Sequence, residues 1–326
     1  MQTRRLGTLY PVSRLALGGG GLGQIWGKTD REEAIATVHA AVAGGITLFD
    51  SAPLYGRGEA ETVLGLAFAG RPPPGARFTT KCGLGNPPAN EVASIVRRRL
   101  ERSLEAMRLA QADLLFLHSY VVPDDYRVPG VDAETQDRFA TRLSLYRDRV
   151  VPVFEDLARE GLIRHWGVTG IGLPAAIVDV LGEAPRPAVV QCIANCLDSA
   201  GGLNRFAVPA QPREIIAAAR ANGVGVMGIR AVQAGALTDA LDRELAADNP
   251  DRVDFDRAAG LRALARTMGT ATAKLAHRYA LGIDGVDTVV LGVKNREELK
   301  ECLDAEAEGP LTAEQSRAVD AAVGRR

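Results

Sequence analysis

Leu48-Phe49-Asp50-Ser51-Ala52-Pro53-Leu54-Tyr55-Gly56 is the stretch whose reading decides the fold. Ile46 to Asp50 is a short apolar run that stops at a carboxylate, the pattern of a buried parallel strand whose carboxyl end meets an active site. Pro53 and Gly56 cannot continue a strand, which predicts Tyr55 in a loop just above it. Two later runs behave alike. Arg77-Phe78-Thr79-Thr80-Lys81 ends at a lysine, and Asp113-Leu114-Leu115-Phe116-Leu117-His118 ends at a histidine. Three strand ends therefore deliver Asp50, Lys81 and His118 to one face, with Tyr55 beside them.

Outward from these runs, strands and helices alternate. Arg4 to Tyr10 and Val12 to Leu17 read as a short hairpin or plug followed by the first strand, Arg14 to Leu17. Arg31 to Ala43 has helical apolar spacing, an Asp30 cap and a Gly44-Gly45 stop. Helices are further predicted over 58–66, 89–109, 138–160, 174–181, 214–221 and 258–281, with another opening at Arg296. The remaining strands fall at 163–169, 188–192, 223–229 and 286–291. Eight strand–helix units make a (β/α)8 barrel, with its active site at the carboxyl ends of the strands. Residues 1–326 read as one domain. Ser119 to Ala133 reads as a long loop without helical period, the kind that carries substrate contacts.

Gly18-Gly19-Gly20-Gly21-Leu22-Gly23 contains a G-x-G-x-x-G spacing. A dinucleotide fold needs a helix opening directly on the glycines, and Gln24 to Gly27 intervene before the Asp30 cap. The reading is a loop whose bare backbone lets a flat ligand approach, with Gly20 and Gly21 as candidate contacts. Trp26 walls a substrate pocket or is ordinary packing.

Taken singly, a strand-end lysine is usually solvated, a loop tyrosine is usually packing, and a buried histidine often satisfies a neighbour. Chemistry links them here. A phenol titrates near pH 10 and is a poor acid or base at neutrality until its surroundings shift it. An ammonium group favours the phenolate, a carboxylate holds that ammonium in place, and an imidazole orients and helps protonate a substrate carbonyl. Such a site polarises C=O for hydride attack, or runs backwards on an alcohol.

Asp50, Tyr55, Lys81 and His118, with the strings Phe49 to Gly56 and Asp113 to His118, resemble the catalytic tetrad and signatures of the aldo-keto reductases. The resemblance runs from about Arg5 to about Ala305 and implies a (β/α)8 barrel with an N-terminal hairpin and a short C-terminal tail. It implies that Tyr55 exchanges a proton with substrate, Lys81 lowers its pKa, Asp50 fixes Lys81, and His118 orients the substrate oxygen. It also implies a nicotinamide cofactor, NAD or NADP, across the later strand ends. Gln191 and Thr169 would hold the carboxamide, with Gly170 where the family usually has Asn. Ile229 would pack on the nicotinamide, leaving Arg230 free to approach the pyrophosphate, with Gly235 nearby. The adenosine end would lie on Gly292 to Cys302, where a helix amino terminus favours phosphate. Glu301 matches an adenine contact, and Cys302 replaces the usual Asn. Glu298 would repel a 2′-phosphate and argues for NAD, whereas Lys294 and Arg296 argue for NADP. The stretches Gly167 to Ile171, Ile229-Arg230 and Gly235-Ala236-Leu237 resemble the sugar-dehydrogenase branch, which oxidises aldoses at C1 to lactones. Pyridoxal 4-dehydrogenase and a general aldehyde or ketone reductase are the alternatives, and a non-catalytic nucleotide-sensing subunit is the alternative of another class.

Bulk properties bound the rest. The 326 residues carry 39 Lys plus Arg against 40 Asp plus Glu, a net charge of −1. Nothing basic suggests nucleic acid, and no stretch reaches the ~18 apolar residues of a membrane helix. Met1-Gln2-Thr3-Arg4-Arg5 lacks an apolar leader core, so a cytoplasmic protein, monomeric or a weak homo-oligomer, is expected. Cys82, Cys192, Cys196 and Cys302 have no zinc spacing, and His39, His165 and His277 are scattered. Reduced structural thiols, no metal and a small-molecule substrate are the expectation.

Overall fold

The computed structural model describes residues 1–325. Eight parallel strands close a barrel: β3 (Leu15–Gly18), β4 (Leu48–Asp50), β5 (Arg77–Cys82), β6 (Ala112–Leu117), β9 (Ile163–Gly170), β10 (Val189–Ile193), β11 (Gly225–Ile229) and β12 (Thr288–Leu291). β12 returns to pair with β3, with Val289 opposite Leu15 and Leu291 opposite Leu17. Closure leaves no free edge, so these short apolar runs satisfy their backbone groups on both sides.

Ahead of the barrel, β1 (Thr3–Arg5) and β2 (Pro11–Ser13) pair antiparallel as the expected hairpin. Its apolar residues Leu6 and Val12 join Ala16, Leu48, Leu114, Phe116, Val189 and Met227, the inward layer of the barrel, in one buried cluster. The turn at Gly7 (φ +55°) lies so close to Gly225 that a Cβ there would meet its nitrogen at 2.4 Å. Only glycine fits that conformation and spacing. The hairpin thus plugs the amino end of the barrel, and ligands reach the interior from the opposite face.

The helices form the outer ring, and their limits follow local chemistry. Arg31–Ala43 is capped by Asp30, whose side chain accepts from the Glu33 N–H, and Ala313–Ala322 opens with a Thr312/Gln315 capping box. Five features differ from the sequence reading. A helical turn, Gly19–Leu22, does open directly on the glycines. The segment predicted as one helix over 138–160 is broken: helix Ala133–Phe139 runs into β8 (Ala140–Arg142), then a π turn at Tyr146–Val150 precedes helix Val151–Arg159. β8 pairs in parallel with β7 (Tyr120–Val122), so the loop after β6 is itself part of a two-stranded sheet. Apolar spacing alone did not separate these, because Ala140, Leu143 and Tyr146 are buried in either conformation. Helix 258–281 is two helices, Ala259–Met268 and Thr272–Gly282, separated by Gly269 at φ +66°. The expected short C-terminal tail contains the helix Ala313–Ala322, packed on Ala259–Met268.

Candidate active site

The strand register sets the site. Asp50 ends β4 opposite Gly18 on one side and Thr79 on the other, and Lys81 sits two residues beyond Thr79. Residues two apart on a strand share a face, so Thr79 and Lys81 both point inward. Lys81 is 1 % exposed. Its Nζ donates to Asp50 Oδ2 at 2.7 Å and to the Ser51 carbonyl at 2.8 Å. Asp50 Oδ1 accepts from Thr79 Oγ1 at 2.5 Å and from Gln191 Nε2 at 2.6 Å. A buried charge pair is tolerable only when its other hydrogen-bonding capacity is filled, and here three side chains converge on one carboxylate.

Tyr55 begins a tight turn, Tyr55–Gly58, in which Gly56 and Arg57 have positive φ. The Lys81 ammonium lies 4.7 Å from the centre of its ring, and His118 stands edge-on to it with centroids 6.0 Å apart. All four predicted residues are therefore together at the carboxyl end of the barrel. Burial pushes the Tyr55 phenol above its ordinary value, the Lys81 charge pulls it down, and Asp50 pushes it up again. The net direction is upward, so in this state Asp50 and burial outweigh the lowering expected from Lys81. Burial pulls Lys81 down, but Asp50 and Tyr55 hold it above its usual range. His118 is pushed down to about 3, first by burial and then by the Lys81 charge. It is a neutral imidazole at physiological pH, which can donate one N–H but has no spare proton to give.

A cavity of about 740 Å³ opens over these residues and runs across the later strand ends to Lys294, Glu298, Glu301 and Cys302. That is the size of a cofactor-plus-substrate cleft. Thr169 lines it with a hydroxyl that donates to the Leu117 carbonyl at 3.0 Å. At Gly170 a Cβ would meet Val190 Cγ2 at 2.8 Å, so a side chain there would collide with the strand–helix layer. Gln191, Ile229 and Gly235 line the middle, the last at φ +89°.

Three expected freedoms are absent. Arg230 is not available to a pyrophosphate: it is locked by Asp251 at 2.6 Å and Gln233 at 2.7 Å. Lys294 is held by Asp242 at 2.8 Å and Glu298 at 3.1 Å, and Arg296 is held by Glu33 at 2.7 Å. The amino end of helix Arg296–Glu308 is capped by the chain's own groups, the N–H of Lys294 donating to Glu298, that of Arg296 to Glu33, and that of Glu298 to Asn295. The glycine run also serves the chain itself. A Cβ on Gly21 would meet the Val293 carbonyl oxygen at 1.9 Å, and one on Gly20 would meet Trp26 Nε1 at 2.5 Å. Gly21 is thus a packing glycine against Val293, whereas Gly20 and Trp26 do face the cavity.

Several wall residues were not found from sequence. Thr79, behind the wall on Asp50, was not singled out either, although its two-residue spacing from Lys81 puts it on the same strand face. Tyr120, Phe139, Leu203, Arg205 and Asp242 also line the cavity. They lie in the short strand β7, in loops and turns, or at the broken helix, where no period announces them. All four cysteines are buried and free. Among the described residues no cluster of three His, Cys, Asp or Glu could hold a metal, and no helix is long and apolar enough to cross a membrane.

Known proteins place this geometry. The family model of the aldo/keto reductase family matches residues 14–323. An L-galactose dehydrogenase of Arabidopsis thaliana is 26% identical over 304 residues, covering 92% of this chain and 86% of that one. A D-threo-aldose 1-dehydrogenase of Pseudomonas sp is 23% identical, covering 86% and 85%. The holo form of aldo-keto reductase AKR11C1 from Bacillus halodurans superimposes with a TM-score of 0.73 at 23% identity, over 99% of this chain and 96% of that one. With the barrel closed, the strand-end cluster assembled and nearly the whole chain matched, this protein belongs to the aldo/keto reductase family and is an oxidoreductase.

Proposed function

We propose that this protein oxidises the C1 hydroxyl of a small aldose to a lactone, with NAD as hydride acceptor. The observation that carries the reading is the Asp50–Lys81 pair under the Tyr55 ring, at the floor of a cavity long enough for a dinucleotide. The L-galactose dehydrogenase and the D-threo-aldose 1-dehydrogenase among its relatives support an aldose substrate, and the second supports the choice of C1.

The residues present fit a nicotinamide dinucleotide. The cavity continues without a break from Tyr55 and His118 to Glu301, and Glu301 has no cation partner among the described residues. Bound there, the dinucleotide supplies a hydride carrier, which no side chain can replace. The chain does the rest. His118, neutral, donates an N–H to the substrate oxygen and orients it. Tyr55 as phenolate accepts the C1 hydroxyl proton while the C1–H bond is broken, and the Lys81 ammonium stabilises the charge on the phenol oxygen. Asp50 keeps Lys81 protonated and directed at the ring. Run in reverse, the same phenol protonates the carbonyl oxygen.

NAD over NADP rests on charge. Lys294 and Arg296, the two cations that would attract a 2′-phosphate, already face Asp242, Glu298 and Glu33. A 2′-phosphate would meet carboxylates, which repel it, whereas a 2′-hydroxyl could donate to Glu298. A flat aromatic aldehyde such as pyridoxal is the second reading, favoured by the aromatic walls Trp26, Tyr120 and Phe139 and by Leu54, which is 67% exposed at the mouth. The test is dinucleotide reduction followed spectroscopically with a panel of aldoses and pyridoxal, each with NAD and NADP. Aldose-dependent NAD reduction is the expected result. Turnover of pyridoxal with none of the aldoses would move the assignment to the second reading, and a preference for NADP would remove the cofactor choice.

A further inference from the structure

We infer that the substrate half of the cavity contains an anion subsite built on Arg205, so that the preferred substrate carries a carboxylate or phosphate distant from its reacting carbon. This deepens the aldose reading and rests on it.

The cations on the cavity wall divide into two kinds. Arg230, Arg243 and Lys294 line the cofactor half, and each is neutralised: Arg230 by Asp251 at 2.6 Å, Arg243 by Asp242 at 3.0 Å, and Lys294 by Asp242 and Glu298. Arg205 also lines the cavity, yet no carboxylate lies within 4.0 Å of it among the described residues. It is the unpaired cation of this wall.

Its location is fixed by aromatic packing. The guanidinium lies 5.0 Å from the centre of the Phe139 ring, and Phe139 meets Tyr120 edge-on at 5.7 Å. Tyr120 follows His118 by two residues, and its hydroxyl donates to the Leu203 carbonyl at 2.9 Å, which ties the Arg205 loop to the β6 end. The arginine therefore stands on the His118 side of the cleft, away from Lys294 and Glu298. An aromatic face restrains a guanidinium while leaving its N–H groups directed outward. Such a planar fork binds carboxylate or phosphate through two parallel hydrogen bonds. The surrounding wall (Leu54, Tyr120, Phe139, Leu203) has no other charge, so Arg205, exposed at the mouth of the cleft, is the cation an incoming anion meets there.

The test compares D-galactose, D-galacturonate and D-galactose 6-phosphate as substrates of the wild type, Arg205→Gln and Arg205→Glu. The inference expects the wild type to favour at least one anionic sugar over galactose in kcat/KM. That ratio should fall tenfold or more in R205Q and further in R205E, and the sugar showing the larger fall identifies carboxylate or phosphate as the group recognised. A wild-type ratio at or below one, or a ratio unmoved by R205Q, overturns the subsite and leaves aldose oxidation standing. If none of the sugars is oxidised, the aldose reading fails, and calorimetric titration of the NAD-loaded protein with galacturonate and with inorganic phosphate decides the subsite separately. Saturable binding lost in R205Q upholds it; absence of binding to the wild type overturns it. Thermal unfolding of both variants close to the wild type excludes misfolding as the cause of any loss.

Discussion

In the first half of the barrel, β3 to β6, the strand ends bring ionisable side chains to one point and lock them there; in the second half, β9 to β12, they offer Thr169, Gln191, Ile229 and Gly292 and leave the charges to the loops. The Asp50–Lys81 pair is almost fully buried and tied to Thr79, Gln191 and the Ser51 carbonyl. The Lys294–Asp242–Glu298 cluster is partly exposed and joins two loops across the cavity. Chemistry demands fixed geometry and low water content, whereas a cofactor must enter and leave. The two halves differ accordingly in burial, and Gln191, donating from β10 to Asp50, is the side chain that couples them.

The largest expected effect breaks the first half alone. Tyr55→Phe should lower kcat by about 10³-fold, the middle of the range for removing a general acid–base group, while dinucleotide affinity measured by fluorescence titration stays within about twofold. Residual activity within tenfold of the wild type would remove Tyr55 from its proposed role. Next in size is stability. Asp50→Ala leaves the Lys81 ammonium buried without its partner, which should cost about 3–5 kcal/mol in urea unfolding. Asp242→Ala, at the exposed rim, should cost less than ~1 kcal/mol. Similar losses in the two variants would erase the contrast between the halves.

How much of this was readable beforehand follows the same division. Asp50 and His118 each terminate an apolar run and Lys81 a short Phe- and Thr-containing strand, so the strand pattern announced them, and Tyr55 followed from the Pro53 and Gly56 breaks. The barrel followed from eight such alternations. Loop geometry was not readable, because no periodicity determines which carboxylate a loop cation meets. Arg230 and Lys294 were expected to be free for phosphate, and folding brings Asp251 and Asp242 to them from 21 and 52 residues away. The glycine run looked like ligand space because bare backbone fits either a ligand or another strand. At Gly21 the neighbour is Val293.

pH separates the members of the strand-end cluster. Burial and then the Lys81 charge push His118 down to about 3 in the folded chain, well below its unfolded value near 6.5. Between these values the unfolded chain binds the proton and the folded one does not, so stability falls as pH drops below about 6.5, by at most ~1.4 kcal/mol per pH unit. Urea unfolding of wild type against His118→Gln checks this, since the variant should lose that part of the slope. Activity behaves differently. Tyr55 is held above its ordinary value and alcohol oxidation needs the phenolate, so kcat for oxidation should keep rising into the alkaline range. Carbonyl reduction, which needs the phenol, should fall only there. A pH profile of oxidation with an inflection between 6 and 7 would instead make His118 the titrating group.

The smallest effect probes the second half. Glu298 accepts the Lys294 N–H at 2.8 Å and pairs with the Lys294 ammonium at 3.1 Å. Glu298→Gln retains an acceptor for the N–H but removes one of the two carboxylates that neutralise Lys294. It also removes the charge that would repel a 2′-phosphate. The ratio of kcat/KM with NAD to that with NADP should therefore fall by about tenfold, the size of one charge-assisted hydrogen bond gained or lost. The change should appear in KM, with kcat little altered, because Glu298 lies at the far end of the cavity from Tyr55 and acts on binding alone. A shift confined to kcat would mean that the rim and the catalytic floor are coupled, and that Gln191 transmits more than a hydrogen bond between the two halves.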